Sequence, residues 1–99
     1  MIIPIHSLED IKEQTCLIYK HSSTCPVSAA AKNIVESFSK DHPEIPIYMM
    51  VVQEDPELKI QIQDKFSIKH ETPQIIVLKE GSVVATQSHF AIKDISQFF

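Results

Sequence analysis

The sequence predicts an α/β domain built on a mixed central sheet of about four strands, with helices on both faces. Three observations lead there. Cys16 to Tyr19, Ile47 to Val52 and Ile75 to Leu78 are short apolar runs without alternation, as in strands buried on both sides. Proline-started segments between them carry apolar residues at helical spacing. Glu80-Gly81 then separates two strand candidates as the turn of a hairpin.

Ser7 opens the first element as a helix cap. With Asp10 three residues on, and Leu8 and Ile11 as an apolar pair, it predicts a short helix over Ser7 to Gln14. Cys16-Leu17-Ile18-Tyr19 follows as the first strand and His21 to Thr24 as a polar loop. Pro26 suits the first turn of a helix, where its missing N–H costs nothing. Behind it Val27, Ala30, Ala31, Ile34, Val35 and Phe38 recur at helical spacing to Lys40, and Asp41-His42-Pro43 ends the run. After the second strand, Asp55-Pro56 reads as a cap followed by proline, with Leu58, Ile62 and Phe66 as the buried stripe. Glutamates and Asp55 around Pro56 read as a solvated helix start facing the positive end of the dipole.

The third strand turns at Gly81, which is free to take positive φ, into an antiparallel partner over Val83 to Ser88. A last helix, Ile92 to Phe99, carries Ile92, Ile95 and Phe99 on one side. The parallel βαβ unit requires a right-handed crossover, and the next helix returns the chain so that the hairpin completes a mixed sheet. This is the element order of the thioredoxin fold, in one domain over residues 1–99.

Composition narrows the chemistry. Ninety-nine residues leave room for one core. All nine basic residues are lysines against thirteen acids, a net charge of −4. Without arginine or an electropositive face, nucleic-acid binding is not expected. One glycine cannot build a nucleotide-cradling loop. The start, Met1 to His6, has no charged n-region and no cleavage site, and no apolar run approaches the ~20 residues of a membrane span. The expectation is a cytoplasmic protein that engages neither membrane nor nucleic acid. In that compartment two cysteines, Cys16 and Cys25, are read as thiol chemistry before structural bonding.

Cys25 falls between the first strand and the helix begun by Pro26, where unpaired N–H groups converge and the dipole is positive. A thiolate there is stabilised, so its pKa is expected to fall. Thr24 and Ser28 can add hydroxyl hydrogen bonds, and the polar run Lys20 to Thr24 implies exposure. The bland alternative is an inert buried cysteine. Three positions on, where a dithiol would carry its resolving cysteine, stands Ser28, which cannot form a disulfide. Cys16, at the far end of an extended strand, reads as a core residue beyond the roughly 7 Å Cα separation of a disulfide.

Lys69-His70-Glu71-Thr72-Pro73-Gln74 leads into the third strand. A proline there can be plain punctuation. In a thioredoxin-type sheet it is cis, and it sets the preceding backbone beside the reactive thiol to pair with a bound substrate. His70, or His21, could stabilise the thiolate or protonate a leaving thiol, though a solvated loop histidine reads equally well. His21, Cys25 and His70 lack the fourth ligand and the spacing of a metal site, so no metal is expected.

Ser23-Thr24-Cys25-Pro26-Val27-Ser28 together with His70-Glu71-Thr72-Pro73-Gln74 resembles the YtxJ-like monothiol bacilliredoxins, from about Ile5 to Phe99. The resemblance implies a thioredoxin-fold oxidoreductase that removes bacillithiol from mixed disulfides on oxidised cytosolic proteins. Cys25 would be the catalytic thiolate, supported by Thr24, Pro26, Ser28 and His70, with Thr72 and Pro73 cradling the substrate. Bacillithiol would be a co-substrate thiol and bacillithiolated proteins the partners, with no tightly bound cofactor. Two other readings compete. One is a glutaredoxin-like protein using another small thiol or carrying an iron–sulfur cluster, which Pro26 and the single glycine disfavour. The other is a non-catalytic thioredoxin-fold adaptor.

Overall fold

A computed structural model describes residues 2–99; Met1, within the expected domain, lies outside the described residues. Five strands form the sheet: β1 (Ile2–Pro4), β2 (Cys16–His21), β3 (Ile47–Val51), β4 (Gln74–Lys79) and β5 (Ser82–Ser88), in the order β1-β3-β2-β4-β5. β2 and β3 run parallel with Leu17 opposite Ile47, while β4 is antiparallel to β2 with Leu17 opposite Val77. Helix α1 (Pro26–Asp41) and helix α2 (Pro56–Phe66) supply the two crossovers.

The central strands are buried on both faces because each face has its own helix. Leu17, Tyr19, Ile47, Ile75 and Val77 pack against Ala31, Val35 and Phe38 of α1. Cys16, Ile18, Tyr48, Met50, Ile76 and Leu78 point the other way, against Leu58 and Ile62 of α2. The period-2 alternation of strands sorts an unbroken apolar run into two cores. Each helix begins with proline at its first position, and Ser67 ends α2 in the left-handed conformation.

Several expectations are corrected. The sheet has a fifth strand, β1, a three-residue edge whose parallel partner β3 lies far along the chain. The helix expected over Ser7 to Gln14 is one 3₁₀ turn, Leu8–Asp10. The Asp10 carboxylate takes the His6 and Ser7 N–H groups, and the Glu13 N–H donates to Tyr48 Oη, so the chain leaves the helical path. The helix expected over Ile92 to Phe99 is one 3₁₀ turn, Ile95–Phe98, and another 3₁₀ turn, His89–Ala91, precedes it. Asp94 at φ 50° breaks any continuous α-helix, yet Ile92 and Ile95 are buried as their spacing required. On α1, Ile34 and Ala30 face outward; the buried stripe runs through Ser28, Ala31, Val35, Phe38 and Ser39.

The Glu80-Gly81 turn has φ 53° and 81° at its two residues, the left-handed pair of a tight hairpin. Lys20 pairs with Gln74 across the β2–β4 ladder, so the end of β2 and the start of β4 lie side by side. The loop leading to α1 and the segment before β4 therefore meet at one edge of the sheet. The Thr72–Pro73 peptide bond in that segment is cis.

Candidate functional site

Cys25 is the N-cap of α1, in extended conformation with φ −105° and ψ 120°. Its carbonyl accepts the first helical hydrogen bond, from Ala29 N–H, which turns the side chain toward the free N–H groups of the first turn. The Ser28 N–H first, then the Val27 N–H, with the Ser28 hydroxyl a lesser help, hold the thiol's pKa below that of an ordinary cysteine against the opposing effect of burial, although the sulfur makes no close side-chain cap hydrogen bond. The side chain is half-buried, open to a reactant. The groups that lower this pKa belong to the first turn of α1 and not to a neighbouring cation, as the positive end of a helix dipole favours.

Ser28 is fully buried and ties the site together. Its Oγ accepts the Ser22 N–H at 3.3 Å, and its carbonyl accepts the Tyr19 hydroxyl at 2.9 Å. Because Tyr19 spends its one proton there, the 2.7 Å contact between its oxygen and His21 Nδ1 requires a proton on that nitrogen. Burial and Lys32 push the His21 pKa down, leaving a neutral ring that buttresses Tyr19. Burial first, then the Cys25 charge, raise the Tyr19 pKa.

Thr24 and Pro26 are exposed beside Cys25. The loop ahead of them is held by Gln53, from the β3–α2 connection. Gln53 Oε1 accepts the Ser23 N–H at 3.1 Å, and its Nε2 donates to Ser22 Oγ at 2.7 Å and Thr24 Oγ1 at 3.3 Å. Nothing local in the sequence marks Gln53, since its partners stand about thirty residues earlier.

On the β4 side, Thr72 is half-buried and Pro73 buried. His70 Nε2 lies 3.2 Å from Thr72 Oγ1, and the His70 N–H donates to Gln63 of α2. Burial, then Lys20 and Lys59, lower the His70 pKa to about 4, so the ring is neutral at physiological pH. It offers a thiolate no cation, and its contact is with Thr72. Its Nδ1 is buried without a partner.

The polar run before Cys25 is exposed only in part, because Lys20 is wholly buried. Its position in β2 puts it on the α2 face, where its ammonium donates to Gln74 Oε1 at 2.7 Å and Gln74 Nε2 donates to the Lys69 carbonyl at 3.1 Å. Burial, opposed by Glu71 and reinforced by Lys59, brings the Lys20 pKa down to about 8. This network braces the segment before Pro73, and a lysine at the polar end of an apolar run gave no sign of it.

Cys16 is buried among the α2-face residues, and burial, then Glu13, push its thiol up to about 11. Both cysteines are free. Among the described residues, the ligand-like cluster is His6, Glu54 and Asp55, and the 2.8 Å His6–Asp55 hydrogen bond accounts for it. Asp55 thus serves His6 and makes no side-chain cap to α2. Among the described residues, no helix is long and apolar enough to cross a membrane.

A strand, a turn bearing one activated cysteine and a buried proline on the facing segment define a thiol-redox domain of the thioredoxin fold. The monothiol bacilliredoxin BrxC family model matches residues 5–96, and the chain belongs to that family. It is similar to a solved structure described as a candidate oxidoreductase with a thioredoxin fold, at 27% identity and TM-score 0.90, covering 98% of this chain and 92% of that one. An Entamoeba histolytica thioredoxin mutant gives TM-score 0.77 at 16% identity, covering 99% and 96% of the two chains. Oxidised Plasmodium falciparum thioredoxin gives 0.75 at 17%, covering 98% and 93%. The last two carry the fold alone.

Proposed function

We propose that the protein is a monothiol thiol–disulfide oxidoreductase that removes bacillithiol from mixed disulfides on oxidised cytoplasmic proteins. One observation carries the reading: a half-exposed free cysteine, Cys25, is the N-cap of α1, and the residue three positions on is a serine. Membership of the monothiol bacilliredoxin family supports the choice of thiol.

The Cys25 thiolate attacks the bacillithiol sulfur of the mixed disulfide. The Cys25–bacillithiol bond forms, the target's disulfide breaks, and the target leaves as a thiolate that takes a proton from water. A second bacillithiol thiolate then attacks the Cys25-bound bacillithiol, restoring Cys25 and giving bacillithiol disulfide, which a separate flavoprotein reductase would reduce. Ser28 cannot close an internal disulfide, so the second thiol comes from outside. Thr24, Pro26 and Ser28 shape the thiolate's surroundings. Thr72 and Pro73 receive the substrate, and His70 acts through Thr72.

The test compares one model protein carrying bacillithiol with the same protein carrying glutathione. The expected result is transfer of one bacillithiol to wild type and Cys16→Ala, none to Cys25→Ala, and slower transfer of glutathione. Equal or faster glutathione transfer would overturn the thiol assignment. Absence of any transfer would leave the adaptor reading.

A further inference from the structure

Phe90 is 85% exposed, the most exposed large hydrophobic side chain among the described residues. Its neighbours fix it there. The His89 N–H donates to the Pro73 carbonyl at 3.0 Å, Ile92 is buried in the α1-face core, and the turn between them packs on α1. His89 holds φ 54°, a conformation non-glycine residues adopt at some cost. Between these anchors Phe90 is held outward on a short 3₁₀ turn. A phenylalanine in water forgoes the stabilisation that burial would give, so its ring contributes little to this fold.

The turn borders the candidate site. Ser88 pairs with Gln74 in the β4–β5 ladder, and the backbone bond from His89 reaches Pro73 itself. Beside Pro73, Thr72 makes no backbone–backbone hydrogen bond among the described residues. Phe90 thus follows a residue bonded to Pro73, and Thr72 precedes that proline, with Cys25 at the same edge of the sheet. Main-chain pairing beside a side-chain contact is how extended peptides are held.

We propose that Phe90 is a docking residue for the protein half of the substrate: it packs on an apolar side chain in the extended peptide flanking the disulfide-bonded cysteine. This deepens, and rests on, the oxidoreductase reading given above. The partner is an extended polypeptide with an apolar residue next to its modified cysteine. A small symmetric disulfide has no such segment and gains nothing from the ring.

The test measures kcat/KM for wild type, Phe90→Ser and Phe90→Leu on two probes carrying the same small thiol. One probe is a peptide with leucines flanking its cysteine; the other joins the small thiol to 2-mercaptoethanol. The exposed position lets both variants fold, which circular dichroism checks. Phe90→Ser is expected to lose about tenfold on the peptide, as for some tens of Å² of apolar contact, and nothing on the small probe. Phe90→Leu should retain most of the peptide activity. Equal rates for all three proteins on the peptide, or equal losses on both probes, would overturn the proposal. So would a wild-type dimer in sedimentation that Phe90→Ser dissolves with unchanged peptide turnover, since the ring would then serve a second copy of this chain. If wild type turns over neither probe, the oxidoreductase reading fails and this one with it; if wild type is active and Phe90→Ser is unaffected, only the docking proposal fails.

Discussion

The Ser28 N–H and hydroxyl both act to lower the Cys25 pKa, while its oxygen atoms hold Ser22 and Tyr19. Removing the hydroxyl takes one donor from the thiolate and leaves the Ser22 N–H without its acceptor. Ser28→Ala is therefore expected to raise the Cys25 pKa while leaving it below an ordinary cysteine, since the backbone donors persist. It should cost about 1 kcal/mol of stability for the lost hydrogen bond. The pH dependence of iodoacetamide alkylation checks the first effect and urea unfolding the second. Both the cysteine and the serine were legible in the sequence, because a strand, a cysteine and a proline-started helix fix where N–H groups are free. The Tyr19–His21 support was not, since its hydrogen bonds depend on how far a turn brings side chains together.

His70 gives a pH prediction with a definite sign. The folded chain withholds its proton until about pH 4, while an unperturbed histidine takes one near 6.5. Between those values the unfolded state binds more protons, so stability is intact above pH 6.5 and falls as pH drops toward 4. His70→Asn should flatten that part of the stability profile, measured by chemical denaturation at each pH. A thiolate-stabilising imidazolium, which the sequence allowed, would demand the opposite shift.

At the scale of elements, two connections hold the site's loops, and each has its own test. Gln53 makes three hydrogen bonds to Ser22, Ser23 and Thr24. Gln53→Ala is expected to cost about 1 kcal/mol in this exposed setting and to speed amide exchange at Ser23. Across the sheet, Lys20 reaches Gln74 and through it the Lys69 carbonyl. Its pKa near 8, against 10.5 for a free lysine, means the unfolded state holds the proton longer as pH rises. Stability should therefore increase with pH through that window, and Lys20→Met should remove this contribution from the measured slope. Glu71 and Lys59 also face Lys20 and act in opposite senses, so single variants at each would shift the window without abolishing it. The pattern of prolines and apolar runs sufficed to read both crossovers. Burial of Lys20 escaped it because a long side chain reaches past its own position to a partner 54 residues away.

For the molecule as a whole, the two cores are separable from the chemistry at the sheet's edge. Ile62 is fully buried on the α2 face, and Ile62→Ala should cost about 2–5 kcal/mol without changing the Cys25 pKa. Denaturation and thiol titration on the same sample check both halves of that statement. The order of the main strands and helices along the chain followed from the sequence because apolar runs, crossovers and a hairpin admit few topologies. The edge strand β1 and the 3₁₀ turns at Leu8–Asp10 and Ile95–Phe98 did not, since they form through contacts distant in sequence.

Burial of Cys16, with its thiol pushed up to about 11, and partial exposure of Cys25 leave one accessible thiol in the molecule. The direct test is intact-mass and peptide mapping of the reduced protein after exposure to a bacillithiolated model protein. One bacillithiol is expected, located on Cys25, with Cys16 still a free thiol. A Cys16–Cys25 disulfide, or bacillithiol on Cys16, would contradict it.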